Sequence, residues 1–377
     1  MNLEEIRKDI DEIDRQMVDL LCKRMDCSLR VAESKRREGL PVYRPERERE
    51  ILRRVGEQGG AYGSYITEIY RLLMECSREL QHEALADNDA IRATVDGADS
   101  ALRLTGTVAC YGEEGSFTQI ALSSAFSADQ PVPVFSETFE QVFEAVDSGR
   151  AQFGFVPVEN SSAGSVNEVY DLILKYKLFI VGSVSMPIVQ NLLAVKGAAL
   201  SDIRLVYSHP QALSQCQAFL QKQGIEPREY ANTAAAAKLV AGMNDRTVGA
   251  VGSADIAKKS GLDILCPSIQ SFDNNKTRFI VLSRRPVITA GSDKISVVFS
   301  LSHTPGSLQR ILTRFSLHGL NLTKLESRAG KNGDFETQFY LDFLGNVKHE
   351  KTLSLLSALK AELSDFTFLG NYKEILL

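Results

Sequence analysis

The sequence predicts a multidomain α and α/β protein: an all-α helical segment, then an α/β segment, then a βαββαβ module. Three observations carry this. Residues 3–38 hold no glycine or proline and place apolar residues at helical spacing. Residues 105–286 alternate short β-rich runs with helical patterns. Residues 294–377 read strand, helix, strand, strand, helix, strand, the ferredoxin-like order.

The first segment spans residues 1–86. Ile6, Ile10, Ile13, Met17, Leu20 and Leu21 recur every three to four residues, so the first helix is amphipathic. Gly39 and Pro41 stop it, a second helix opens near Pro45 and fades at Gly59-Gly60, and a third runs from about Ser64 to Ala86. A helix over 3–38 would be ~54 Å long. That is too long for a lone three-helix domain to cover, and a helix-swapped dimer is the economical answer. Residues 87–104 are polar and read as a linker.

The α/β segment shows strand runs at Val108–Tyr111, Phe153–Val158, Leu178–Val184, Leu192–Val195, Val248–Val251 and Arg278–Leu282. Phe155–Ser165 runs an apolar strand into small hydrogen-bonding residues, with a helix expected from Ser165 and a capping box to Glu168. Ser116 with Gln119 makes a second capping box, Pro210 suits a first helical position, and Asn232-Thr233 caps an alanine-rich helix. Helix starts of this kind attract anions. In the last segment the strands are Ile295–Ser302, Leu322–Ser327, Phe335–Phe343 and Phe366–Leu369, with helices starting near Pro305 and His349.

Apolar content of 44% and charged content of 24% are those of a soluble globular protein. The net charge of −5 gives no reason to expect nucleic acid. No apolar run approaches ~20 residues, so no membrane span is expected. The acidic N-terminus lacks a signal-peptide pattern, and six scattered cysteines without C-x-x-C suit a reducing cytoplasm. Five histidines without metal-ligand spacing leave no metal and no cofactor expected.

Arg24 and Lys35 are eleven residues apart, hence within roughly 20° on one helix face, where two cations can grip one small dicarboxylate. Arg7 lies about 25 Å further along and would serve a neighbouring chain's site. Ser77 and Gln81 share a face at i,i+4, and the second helix opens with Arg47-Glu48. Arg36, Arg37, Arg49, Arg53 and Arg54 read as a solvated face. The segment resembles the helical chorismate mutase family at all seven of these positions. The resemblance implies that Arg24 and the neighbour's Arg7 hold two carboxylates and that Lys35 and Gln81 donate to the ether oxygen. It further implies that Glu48 binds the ring hydroxyl and that Arg47 and Ser77 orient their neighbours. Arg44 stands where that family often has an acidic residue.

The stretch around Asn160 and Ser161, Ser208–Ala212, and Thr277-Arg278-Phe279 together resemble prephenate dehydratases. This implies two lobes like a periplasmic binding protein, with the site between them. Thr277 would assist the departing hydroxyl, Arg278 would clamp a carboxylate, and Asn160, Ser161, Ser208 and Phe279 would complete the substrate site. Glu113 stands where that family usually has proline. Pro305, Gly306 and Leu308, then Asn321, Leu322, Glu326, Ser327 and Arg328, resemble the effector motifs of ACT domains, which implies phenylalanine as effector; Ala329 replaces a common proline.

Together these resemblances imply an enzyme of phenylalanine biosynthesis. Its substrates would be chorismate and then prephenate, its product phenylpyruvate, its inhibitor phenylalanine, and its assembly a homodimer or homotetramer. Two other classes fit parts of the pattern: a ligand sensor without chemistry, and a dehydratase whose long helices only dimerise.

Overall fold

The computed structural model describes residues 2–85, 90–271, 275–329, 337–363 and 365–377. Asp87, Asn88 and Asp89 of the expected linker, and Phe335 of the third C-terminal strand, lie outside these. The chain divides into two compact units. One comprises Met1–Gly97 with Lys294–Phe368, the other Ala98–Asp293 with Leu369–Leu377.

The first unit opens with α1 (Leu3–Glu38), α2 (Pro45–Gln58) and α3 (Gly63–Ala84). Asn2 and Glu5 form a capping box at the start of α1, and Gly39 ends it in the left-handed region at φ 67°. The helices α2 and α3 cross closely: a Cβ on Gly63 would lie 2.3 Å from the Gly56 carbonyl oxygen, so only glycine fits. The polar stretch read as linker contains a further helix, α4 (Ala90–Asp96), anchored by buried Ile91.

In the α/β unit the elements are β1 (Thr107–Tyr111), α5 (Phe117–Ala125), β2 (Val132–Ser136), α6 (Phe139–Asp147), β3 (Phe153–Asn160), β4 (Gly164–Ser165), α7 (Asn167–Tyr176), β5 (Phe179–Pro187), β6 (Asn191–Ala194), β7 (Leu205–Ser208), α8 (Pro210–Gln215), α9 (Gln217–Gln223), β8 (Glu226–Glu229), α10 (Thr233–Met243), β9 (Val248–Gly252), α11 (Ala254–Ser260), β10 (Asp263–Cys266) and β11 (Lys276–Ser283). They build two lobes. One sheet has β5, β11, β3, β1 and β2 side by side, with β4 on β3; the other has the order β10-β6-β9-β7-β8. The chain passes to the second lobe after β5 and returns at β11, so two segments join the lobes. Phe155, Phe279, Val281 and Val184 centre the first core, while the second lobe packs Leu192, Val206 and Val251 on one face of its sheet and Leu193, Ala237 and Ala250 on the other.

The first unit resumes with β12 (Lys294–Leu301), α12 (Ser307–Leu317), β13 (Leu322–Ala329), β14 (Thr337–Leu344), α13 (Glu350–Glu362) and the start of β15 (Thr367–Tyr372), whose residues from Leu369 on are counted with the other unit. The sheet order β13-β14-β12-β15 is that of a ferredoxin-like unit, and β13 is an edge strand. Helices α12 and α13 pack against α3. Their contact is ionic: Arg314, 1% exposed, pairs with Glu79 and, at 3.1 Å, with Glu362. His318 joins Glu79 at 2.9 Å, and His82 joins Glu362 at 2.8 Å. Removing one member of such a buried set costs about 3–5 kcal/mol.

The final residues return to the α/β unit instead of ending the C-terminal module. There β16 (Glu374–Leu376) runs parallel to β5. A Cβ on Gly370 would lie 2.0 Å from the Ile180 carbonyl oxygen, so the strand can pass there only as glycine.

Candidate active sites

In the helical part of the first unit the two cations of α1 meet the two polar groups of α3. Arg24 Nη1 donates to Ser77 Oγ at 2.6 Å, and Lys35 Nζ donates to Gln81 Oε1 at 2.9 Å and to the Val42 carbonyl at 2.6 Å. Ser77 and Gln81 are buried, and Gln81 Nε2 donates to the Ser77 carbonyl at 3.0 Å. Burial pushes the Lys35 ammonium below its usual pKa, and the Arg44 cation adds to that shift against the pull of Glu48. Burial pushes the Glu48 carboxyl up, with Arg78 opposing. Five of the seven expected residues therefore converge: Arg24, Lys35, Glu48, Ser77 and Gln81. Arg7 does not; it lies exposed on α1, as its distance along the helix requires. Arg47 also faces out and pairs with Glu50 at 2.6 Å. The residue that orients Glu48 is Arg78, one place after Ser77, which sequence reasoning missed. Arg37 and Arg53 make only the exposed helix pairs expected of a solvated face.

In the α/β unit a cleft of about 770 Å³ lies between the lobes. Its lining includes the starts of α5, α7, α8 and α10, through Ser116, Val166, His209 and Asn232, together with Asn160, Thr277 and Phe279. The Asn160 amide is fixed by its surroundings. Its oxygen accepts from the backbone N–H groups of Ser162 (3.0 Å) and Ala163 (3.1 Å), so its nitrogen faces Thr277 Oγ1 at 2.9 Å and Asn275 Oδ1 at 2.9 Å. The β3–β11 register puts Thr277 directly opposite Asn160. Phe279, almost wholly buried, is among the lining residues and stacks on Phe155 at 5.5 Å. His209 caps α8 through Nδ1, which accepts from the Gln211 N–H at 3.2 Å, and burial holds its pKa down.

Three of the expected substrate residues, Arg278, Ser208 and Ser161, are not among the lining residues, and one expected helix cap does not form. Arg278 pairs at 3.1 Å with Glu159, which does line the cleft, and donates to Tyr170 OH at 3.4 Å. Ser208 is fully buried and donates to the Val251 carbonyl at 2.7 Å, tying β7 to β9. Ser161 joins β3 to β11, since its Oγ accepts from the Lys276 N–H at 2.9 Å. Ser165 does not cap α7; it lies in β4, paired with Glu159, and the helix starts two residues later behind Val166 with no side-chain cap. The Ser116 box is half formed: Ser116 Oγ accepts from the Gln119 N–H, but the Gln119 side chain accepts from Gly115 instead. Glu113 reaches across the cleft, accepting from Asn232 Nδ2 at 3.0 Å and Lys238 Nζ at 3.1 Å.

The C-terminal module has its own cavity, of about 730 Å³, lined by Pro305, Gly306, Leu308 and Ser327 among others. Asn321, Leu322, Glu326 and Arg328 are outside that lining. Alternation along β13 separates Ser327 from its neighbours: Ser327 and Ala329 are exposed, while Glu326 and Arg328 take the half-buried positions between them. There Arg328 pairs with Glu326 at 2.9 Å and lies over the Tyr340 ring at 4.6 Å.

Comparison with known proteins agrees with this division. A model described as chorismate mutase type II matches residues 6–82, and one described as prephenate dehydratase matches residues 108–287. The bifunctional chorismate mutase/prephenate dehydratase of Aquifex aeolicus (strain VF5) is 33% identical over 378 residues, covering 100% of this chain and 99% of that one. Arogenate dehydratase/prephenate dehydratase 1, chloroplastic, of Arabidopsis thaliana is 37% identical over 74% of this chain and 73% of its own. A solved structure of prephenate dehydratase from Arthrobacter aurescens in complex with L-Phe matches with a TM-score of 0.65 at 29% identity, over 71% of this chain and 89% of that one. With a mutase domain and a dehydratase domain on one chain, the protein belongs to the bifunctional chorismate mutase/prephenate dehydratase family.

Proposed function

We propose that the chain turns chorismate into prephenate between α1, α2 and α3, and prephenate into phenylpyruvate in the interlobe cleft, under inhibition by phenylalanine. The observation that carries the first step is the pair of cations on one helix face, each already hydrogen-bonded to a buried group of α3. A pericyclic rearrangement needs no nucleophile and no base; it needs the reactive conformer held and donors aimed at the breaking ether bond. Arg24 supplies a carboxylate contact, and Lys35 with Gln81 supplies the ether-oxygen donors. Glu48 accepts from the ring hydroxyl.

For the second step, Asn160 donates to Thr277 Oγ1, which leaves the threonine proton for the departing hydroxyl as carbon dioxide is lost and the ring becomes aromatic. Residues at the starts of α5, α7 and α10 line the same cleft, and helix starts suit a doubly negative substrate.

The reading also takes the C-terminal βαββαβ module as an ACT domain. Phenylalanine would bind in the cavity beside Pro305, Gly306, Leu308 and Ser327. The L-Phe in the Arthrobacter structure supports this effector. The working form is a homodimer or homotetramer. Leu3, Ile10, Ile13, Met17 and Leu20 on α1 are 46–64% exposed, an apolar stripe that a second copy would cover while bringing its own Arg7 to the site. The β13 edge offers the modules a way to pair. No helix of the described residues is long and apolar enough to cross a membrane; the reading takes both reactions as cytoplasmic.

Phenylpyruvate formation from chorismate, with and without phenylalanine, tests the whole scheme. Steady production, suppressed by phenylalanine, is expected; prephenate accumulating without phenylpyruvate would refute the second site, and no loss of chorismate would refute the first.

A further inference from the structure

Arg78 is not among the residues that the sequence motifs assign to either reaction, yet it holds Glu48. Its side chain is 5% exposed on α3. Nη1 donates to both Oε1 and Oε2 of Glu48, each at 2.8 Å, and Nη2 pairs with Glu75. The guanidinium carbon lies 4.7 Å from the Tyr43 ring centroid. A buried cation held by three side chains on one helix, the next helix and the segment between α1 and α2 has one defined position.

We propose that Arg78 is a positioning residue of the mutase site, which fixes the Glu48 carboxylate in place and keeps it ionised so that it can accept the ring hydroxyl of chorismate. This rests on the mutase reading of Glu48 given above. A carboxylate offers about four acceptor positions. Arg78 occupies one on each oxygen and leaves the remainder for substrate. Without it, a glutamate side chain on the exposed start of α2 would sample several rotamers.

The charges around Glu48 give Arg78 a second task. Lys35 faces it from α1, Arg78 and Glu75 from α3, and Glu362 from α13, with Arg44 beside Lys35 at the start of α2 and the Tyr43 phenol against Arg78. Burial raises the pKa of Glu48, Glu75 and Glu362 raise it further, and Arg78 opposes all three. Arg78 itself is penalised by burial, but Glu75, Glu48 and Glu362 more than offset that and hold its charge. Take the cation away, and three carboxyl groups face one another in a partly buried site. The protonated form of Glu48 then gains, and a protonated carboxyl has lost an acceptor position.

The test compares mutase kcat and KM against pH for the full-length protein and its Arg78→Gln, Arg78→Lys, Glu48→Gln and Arg78→Gln/Glu48→Gln variants. Dehydratase turnover on prephenate serves as the folding control. Arg78→Gln should raise KM by about tenfold at neutral pH and move the acid limb of kcat/KM up by about one pH unit or more. Arg78→Lys keeps the charge without the fork, so the limb should stay near its original pH while KM rises less. In the Glu48→Gln background, Arg78→Gln should add less than about a twofold effect. An equal loss at every pH, or the same loss with and without Glu48, would overturn the proposal and leave Arg78 a packing residue. Should Arg78→Gln fail to fold, Arg78→Lys with and without Glu48→Gln carries the same comparison. Unchanged mutase kinetics in Glu48→Gln would overturn both the Glu48 reading and this proposal; an impaired Glu48→Gln beside a pH-flat Arg78→Gln overturns the Arg78 assignment alone.

Discussion

The helical site and the interlobe cleft are read here as holding anions of the same charge, and they are built from different donors. The helical site uses side chains: Arg24 and Lys35 project from one helix onto Ser77 and Gln81 of another. The cleft's described lining contains no lysine or arginine; it gathers helix starts and a hydrogen-bonded Asn160–Thr277 pair. A guanidinium or ammonium is a strong, mobile point of charge that needs partners to hold it. Backbone N–H groups are weaker singly but are fixed by the fold and need no such partners. On the proposed reading, the helical site would depend on individual residues, whereas the cleft would depend on lobe geometry plus a few side chains such as Asn160 and Thr277.

The largest expected effects test whether the two sites are separate. Arg24→Ala should lower mutase turnover by roughly 10²–10³ and leave dehydratase turnover on prephenate unchanged. Thr277→Val should do the reverse, with a dehydratase loss of about 10² and normal mutase rates. Each variant is assayed on chorismate and on prephenate independently. If either substitution depresses both activities by similar factors, the comparison fails, because the sites would then share a structural or kinetic dependency that separate units do not imply.

The same contrast explains what the sequence revealed. The three mutase helices were legible because a long glycine-free amphipathic run, a proline start and a glycine stop are local signals. Arg24, Lys35, Ser77 and Gln81 were legible because helical spacing fixes which side chains share a face. Arg78 was not, since its partner Glu48 lies thirty residues away on another helix. Nor was the Arg314–Glu79–Glu362 cluster, where charges that look like solvated surface are buried by tertiary packing. In the cleft, the motifs placed Asn160 and Thr277 on facing strands, which the β3–β11 register brings opposite each other, whereas the Arg278–Glu159 pair depends on tertiary contact that spacing does not show. Strand β8 (sequence EPRE) was missed for a related reason: it is a wholly exposed edge strand with no apolar alternation to read.

A smaller effect probes how much the side-chain site is tuned by its neighbours. Burial and Arg44 both hold the Lys35 pKa below the usual lysine value. In the proposed reaction the ammonium donates to the ether oxygen, so mutase activity should fall as pH rises through this lowered value. Arg44→Ala removes one cation and should move that alkaline limb to higher pH, while changing neutral-pH turnover by less than about threefold. A limb that stays in place, or moves down, would show that Arg44 does not act on Lys35.

The smallest expected effect belongs to Arg278, and it separates the two kinds of site most directly. Sequence reasoning makes it a clamp on substrate; the structure puts its guanidinium against Glu159, which lines the cleft, and against Tyr170. If it only braces the β3–β11 pair, Arg278→Gln keeps hydrogen-bonding capacity toward Glu159 and Tyr170, and dehydratase KM should rise by no more than about threefold with little change in kcat. If it clamps a substrate carboxylate, losing a charged bidentate contact should raise KM by well over tenfold. The second outcome would mean that the cleft, like the helical site, recruits a side-chain cation after all, and that Arg278 must leave Glu159 when substrate enters. The first would leave the helix starts as the anion-binding groups, so that substitutions loosening the lobe-to-lobe contact of Glu113 with Asn232 and Lys238 should affect KM more than the loss of this arginine does.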